Sequence, residues 1–188
     1  MRCFLAVPLA EPGLTAAHAL ENELRARVPE VRWARPETLH LTVHFFGDIK
    51  EDRTATAIDV VTPIARRTSP FDVVLDRLGA FPPRGVPRVL WLGPGGDVGP
   101  LRALALECRS ALSRAGFAVE DREYNAHCTL GRPRSPWSDT ARAAWGVATA
   151  ADAPQIRFSA ARMVLYESRP ARGGATYTER NAVAFSGA

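Results

Sequence analysis

Leu39–Gly47, LHLTVHFFG, decides how this chain is read, because a second stretch, Ala126–Arg132, AHCTLGR, repeats its pattern. Each holds His-x-Thr followed by an aliphatic residue, and each reads as a short β-strand in which side chains at i and i+2 leave the same face. His40 and Thr42 then point one way together, as do His127 and Thr129, while Leu41, Val43, Cys128 and Leu130 point the other way into a core. An imidazole and a hydroxyl about 7 Å apart along each strand can converge on one small anion. Two such strands facing each other make a symmetric acid–base site. With four His and twelve Thr in 188 residues, chance supplies about 0.3 His-x-Thr matches, so two in strand-like contexts stand above accident.

The length suits one domain with a substantial core, divided into two lobes, and is short for two independent domains. At 46% hydrophobic and 23% charged residues with a net charge of +4, the composition is that of an ordinary soluble protein. Every basic residue except Lys50 is Arg, whose planar fork suits phosphate; this favours a nucleotide or RNA partner, against the bland alternative of a compositional bias toward Arg and Ala. Cys3, Cys108 and Cys128 form neither an even set nor a C-x-x-C pair, which argues against a disulfide framework or zinc knuckle and fits a reducing cytoplasm. The apolar run of MRCFLAVPLAEPG is broken by Pro8 and followed by Glu11, so it reads as a first strand and not as a leader. No apolar stretch approaches a membrane span.

Along the chain, Cys3–Leu9 is the expected first strand, and Leu14, Ala17, Leu20, Leu24 and Val28 predict an amphipathic helix over Pro12–Val28. Val31–Thr38 reads as a connector. Asp48–Arg67 is mostly helical by pattern, with Pro63 expected to kink or shorten it. Phe71–Leu78 and Arg88–Gly93 read as strands, the second nearly all apolar and so buried on both faces; FPPRGVP, Phe81–Pro87, is a turn-rich loop. The glycine-rich GPGGDVGP lacks the ending of a P-loop and reads as a connector. Leu101, Leu104, Ala105, Cys108 and Leu112 make a helix closed by Gly116. Pro133–Pro154 reads as a loop with one short helix, Ile156–Ser168 as a strand or bent pair, RPARGGA as a flexible loop and Tyr177–Phe185 as the closing strand. Each half supplies a helix and then a His-x-Thr strand, which predicts two α+β lobes with the site in the groove between them.

VRWARPETLHLTVHFFGDI, RVLWLG, AHCTLGR and YESRPARGGATY together resemble the 2H phosphoesterases, named for their two His-x-Thr motifs. Within them the chain is most similar to the RNA 2′,3′-cyclic phosphodiesterases, also called LigT-like or 2′-5′ RNA ligase proteins, along nearly its whole length. The resemblance implies a bilobal α+β fold, two antiparallel sheets backed by helices, in a single domain over 1–188 (lobe one about 1–52 plus 155–188, lobe two about 68–134). It implies metal-independent hydrolysis of RNA or oligonucleotide 2′,3′-cyclic phosphate ends to the 2′-phosphate, with no cofactor, His40 as proton donor and His127 as proton acceptor. His44 stands where the family more often has Ala or Lys, and Asn125-Ala126 where a Pro often precedes the second histidine; both bear on substrate preference.

The chemistry agrees with the residues. Opening a cyclic phosphate needs a base for water on one side of phosphorus and an acid for the leaving ribose oxygen on the other, and histidine titrates in the right range for both. Thr42 and Thr129 can donate to the non-bridging oxygens. Strand parity places His44 and Phe46 on the His40 face, His44 about 13 Å along, too far to share a zinc ion with His40; His44 is a candidate groove-edge contact and Phe46 a candidate base-stacking residue. Arg132 is the preferred phosphate-side cation, although plain alternation points it away from His127. Tyr124 and the Arg residues of 169–180 are further candidates for holding the RNA end. Cys128 lies opposite the catalytic face, His18 reads as surface, and Trp33 and Trp91 read as core or lobe-contact aromatics. The competing readings are a catalytically silent RNA-end-binding module of the same fold and a metal-dependent hydrolase, the latter disfavoured by the lack of a His/Asp/Glu cluster. Ligation at 2′-5′ junctions is expected to be secondary, and the expected assembly is a monomer with no membrane partner.

Overall fold

In the computed structural model, which describes residues 1–96, 98–151, 153–172 and 174–187, ten strands and four helices follow one another. They are β1 (Arg2–Pro8), α1 (Gly13–Arg27), β2 (Val31–Trp33), β3 (His40–Asp48), α2 (Glu51–Arg67), β4 (Phe71–Leu75), β5 (Arg77–Phe81), β6 (Val89–Gly93), α3 (Gly99–Arg114), β7 (Cys128–Pro133), α4 (Asp139–Ala150), β8 (Ile156–Ala160), β9 (Arg162–Ala171) and β10 (Gly174–Ala184). The expected α+β class with antiparallel pairing is what the chain adopts: one large sheet runs β10-β9-β1-β3-β7-β6-β5, with β2 also on β7, and β4 and β8 form a small second sheet.

The large sheet has two wings, and they touch through one backbone pair, Leu41 with Cys128. Both side chains of that pair are fully buried. The two His-x-Thr strands are therefore edge-to-edge neighbours in one sheet instead of members of two sheets facing each other. α2 packs on α3 and on β9 and β10, α3 on β3, α1 on β2 and β8, and α4 on β5. The helices bury the stripes their periodicity announces: Ala17, Leu20 and Leu24 on α1, and Leu101, Leu104, Ala105, Cys108 and Leu112 on α3. α3 ends as its glycine predicts. Gly116 takes φ +77°, its N–H donates to the Ser113 carbonyl and that of Phe117 to the Leu112 carbonyl, which satisfies two of the carbonyls a helix end leaves open.

Several local expectations give way to tertiary contacts. α2 runs through Pro63 without shortening; the carbonyl that Pro63 leaves without a donor belongs to Asp59, an exposed residue. The single strand expected over Phe71–Leu78 breaks at Asp76, whose carboxylate accepts from the Gly95 N–H while its own N–H donates to the Gly93 carbonyl; β4 goes to the small sheet and β5 to the large one. The connector after Val31 contains β2, which pairs with β7. α4 is three turns long, with Ser138 accepting from the Ala141 N–H at its start. β9 and β10 extend into the stretch read as the RPARGGA loop, of which Gly173 lies outside the described residues, as Asp97 does in the connector at 93–100. In β6, Val89 and Trp91 are only half-buried, so one face of that strand is open, contrary to the doubly buried strand expected.

Gly131 allows the close approach of β2: a Cβ there would lie 2.7 Å from Val31 Cγ1 and 3.1 Å from the Arg32 carbonyl oxygen. Gly131→Ala is expected to lower stability by about 1–3 kcal/mol, the range for overpacking a closed site. A lower denaturant midpoint at unchanged slope would report it.

Candidate active site

Because Leu41 and Cys128 are paired and buried, their neighbours stand on the opposite, open face. Carried one residue either way, the antiparallel register sets His40 across from Thr129 and Thr42 across from His127. Directly opposed Cβ atoms are about 4.5–5.5 Å apart and diagonal neighbours about 7–8 Å. The four residues thus mark the corners of a small quadrilateral, histidines on one diagonal and threonines on the other. All four are half-buried. Neither threonine hydroxyl has a protein partner among the described residues, which leaves both free to donate.

Both imidazoles are held by the same device. His40 Nδ1 lies 2.6 Å from the Thr38 carbonyl oxygen and His127 Nδ1 lies 2.9 Å from the Asn125 carbonyl oxygen. A carbonyl oxygen only accepts, so each Nδ1 carries hydrogen and donates, and each Nε2 is left for proton transfer. The local cause is visible in the chain: in each motif the residue two before the histidine turns its carbonyl back onto the ring.

The walls are aromatic. Around His40, the Phe4 ring centroid lies at 4.8 Å, Tyr177 at 5.4 Å and Tyr166 at 6.3 Å. Phe81 meets His127 edge-on at 5.0 Å and packs against Trp91 at 5.4 Å. Trp91 is cross-strand partner of Thr129, so it belongs to the open face and is not a core aromatic; Trp33 is in the core. Beside Phe81 and Trp91 is a cavity of about 520 Å³, also lined by Tyr124 and Asn125. Tyr124 donates its hydroxyl to the Thr42 carbonyl at 3.0 Å, bracing the first motif strand from the second half of the chain. Phe4, Phe81, Tyr166 and Tyr177 were not singled out from sequence; only their pairing partners reveal which face they take.

A bulge follows each threonine. Across from β1 the register steps from Ala6–Thr42 to Leu5–His44, and across from β6 it steps from Trp91–Thr129 to Leu90–Gly131. Each bulge inserts one residue into the motif strand and reverses the parity beyond it, in β3 as far as a second register step between Phe45 and Gly47. This corrects the expected places of His44 and Phe46. His44 is buried and packs on Phe46 at 4.7 Å, and Phe46 on Phe117 at 5.3 Å, so both lie on the helix side, away from His40. Phe45 takes the open face instead, 39% exposed, with the Arg2 guanidinium 5.0 Å from its ring. The same step turns Arg132 onto the open face, where plain alternation does not put it. Phe45 and Arg132 are thus equivalents, the third residue after each threonine.

Burial sets the charge state of the two rings. It pulls the His40 pKa down to about 4, against the Thr38 hydrogen bond and helped by nearby His127. Burial likewise lowers His127, against its Asn125 hydrogen bond and with Arg122 and Arg132 adding to the fall. In both rings burial therefore favours the neutral form. Burial raises the Tyr177 phenol, opposed by Arg132 and Arg2, and pushes the Cys128 thiol up to about 12, which suits a core thiol. Among the described residues no group of three or more His, Cys, Asp or Glu side chains is placed to hold a metal ion, and no helix is long and apolar enough to cross a membrane.

The profile of the 2′-5′ RNA ligase superfamily matches residues 22–172. The RNA 2′,3′-cyclic phosphodiesterase of Methanothermobacter thermautotrophicus is 33% identical over 139 residues, 72% of this chain and 73% of that protein. The protein of the same name from Geobacillus stearothermophilus is 27% identical over 165 residues, 88% of this chain but 51% of that protein, so the chain spans about half of that relative's length. The crystal structure of E. coli LigT complexed with 3′-AMP superposes with a TM-score of 0.79 at 23% identity, covering 98% of each chain; a likeness at that identity speaks for the fold.

Proposed function

The chain belongs to the 2′-5′ RNA ligase superfamily, and from that premise we propose that it hydrolyses RNA or oligonucleotide 2′,3′-cyclic phosphate ends to the 2′-phosphate without a metal. The observation that carries the reading is the diagonal pair of histidines, each with Nδ1 tied to a carbonyl and Nε2 free. A phosphorus centre between them meets one Nε2 on either side, as an in-line displacement requires.

In this reaction His127 Nε2 takes a proton from water as its oxygen bonds to phosphorus. The bond from phosphorus to the ribose 3′ oxygen breaks, and that oxygen takes the proton from His40 Nε2. The Thr42 and Thr129 hydroxyls donate to the non-bridging oxygens, and Arg132 faces their negative charge. Phe45 and the aromatic wall around Phe4 are suited to stack a terminal base. Neither proton transfer needs a metal, because one ring begins as base and the other as acid.

His40 must be charged to serve as acid, and burial opposes this. An anion within a few ångströms raises a neighbouring histidine by about 1–3 units, so phosphate binding itself brings the proton in. The pH dependence follows. For the free protein, kcat/KM is expected to peak between about pH 4 and 6.5, the interval bounded by the lowered His40 value and the ordinary histidine value. Above the higher titration it falls about tenfold per pH unit as the histidine pair loses the one proton that His40 must carry in the reacting form, while kcat holds to higher pH because the bound anion raises both rings. Rate profiles from pH 4 to 9 check this; coincident profiles for kcat and kcat/KM would overturn it.

The direct test is incubation of an oligonucleotide bearing a 2′,3′-cyclic phosphate with the protein in chelator, followed by identification of the product. A 2′-phosphate is expected. Tight binding with no opening at any pH from 5 to 8 would favour the silent RNA-end-binding module, which the burial that lowers both rings by itself suits.

A further inference from the structure

Arg32 and Arg132 are direct cross-strand partners in the antiparallel β2–β7 pair. Side chains so placed leave the same face with Cβ atoms about 4.5–5.5 Å apart, and like charges there repel. Val31 and Trp33 on either side of Arg32 are buried while both arginines are exposed, so Arg32 points to the open face onto which the β7 bulge turns Arg132. Neither arginine meets a carboxylate within ion-pair distance among the described residues. The buried glycine at 131, where a Cβ would press on the Arg32 backbone oxygen, lets the two strands approach closely here. Two unneutralised guanidinium groups are therefore held side by side at the mouth of the site.

They are not equivalent. Arg132 belongs to β7, the strand that carries Thr129, and its charge helps lower His127, whereas Arg32 stands on the neighbouring strand, across from Arg132. One cation sits on the motif strand itself and the other one strand over. A cyclic phosphate carries a single negative charge, which Arg132 meets; a second anion must be what accommodates Arg32. On an RNA chain the next anion is the phosphodiester that joins the terminal nucleotide to its neighbour, and a free mononucleotide has none.

Building on the function proposed above, we propose that Arg32 binds the phosphodiester adjacent to the cyclic phosphate end, so that the protein distinguishes oligonucleotide ends from nucleoside 2′,3′-cyclic phosphates. The test compares wild type, Arg32→Gln and Arg32→Lys on an RNA oligonucleotide with a 2′,3′-cyclic phosphate end and on the nucleoside 2′,3′-cyclic phosphate of the same base. Arg32→Gln is expected to raise KM about tenfold on the oligonucleotide, the loss of one charge-assisted contact, with turnover of the mononucleotide within about twofold of wild type, which also reports that the variant is folded. Arg32→Lys keeps the charge and is expected to recover most of the loss. The slope of log KM against log salt on the oligonucleotide should shrink by about 0.7 in Arg32→Gln, the value for one phosphate contact on a single strand. An equal loss on both substrates, or none on the oligonucleotide, overturns this inference alone. A wild type that opens neither substrate removes the hydrolase reading and takes this inference with it.

Discussion

His127→Ala and His40→Ala are each expected to lower kcat for cyclic phosphate opening by about a hundred- to ten-thousand-fold, the usual contribution of one positioned proton-transfer group. KM should move little, since the ring acts on water or on the leaving oxygen and holds neither in the ground state. The two losses should not multiply. The histidines act on one displacement, so the double variant is expected to be about as slow as the poorer single one. The pair also resolves acid from base. A substrate with a better leaving group needs less protonation of the departing oxygen, so it should rescue the variant lacking the acid, here expected to be His40→Ala, and not the other. Either single variant keeping turnover within tenfold of wild type would end the acid–base reading.

Thr42→Val and Thr129→Val are each expected to cost about a hundred- to a thousand-fold in kcat, the range for removing one donor from an oxyanion site. Valine has nearly the shape of threonine and suits a strand, so the fold should tolerate it. The two hydroxyls occupy the diagonal crossing that of the histidines, from which they reach the non-bridging oxygens on either side of phosphorus. Neither is engaged by the protein among the described residues, so each is ready to donate without first giving up a bond. A rise in KM at unchanged kcat would assign them to ground-state binding only, and no effect on either constant would remove them from the site.

The walls of the site bear on how such variants are made. His40 is surrounded by Phe4, Tyr166 and Tyr177 and His127 by Phe81, so truncating either ring opens space in a packed aromatic cluster. Stability should therefore be measured beside rate, for instance as a denaturant midpoint.

Much of this protein was legible in its residue order. The shared face of His40 with Thr42 and of His127 with Thr129 follows from the two-residue period of any extended chain, and the helix stripes and the glycine after α3 follow from the helix period and from the need for a positive φ at Gly116. These are local rules, satisfied within a few residues. What lay beyond them was decided between strands. His44 and Phe46 sit on the helix side, and Phe45 and Arg132 on the open face, because the hydrogen-bond register with β1 and β6 admits one extra residue after each threonine, and a bulge reverses the side chains that follow it until the next irregularity. β2 exists only because β7 offers it an edge, and the aromatic walls exist only because five strands distant in sequence bring Phe4, Phe81, Trp91, Tyr166 and Tyr177 to one face. Alternation along a strand is a property of its own backbone, but which face is outward past an irregularity is a property of its neighbours.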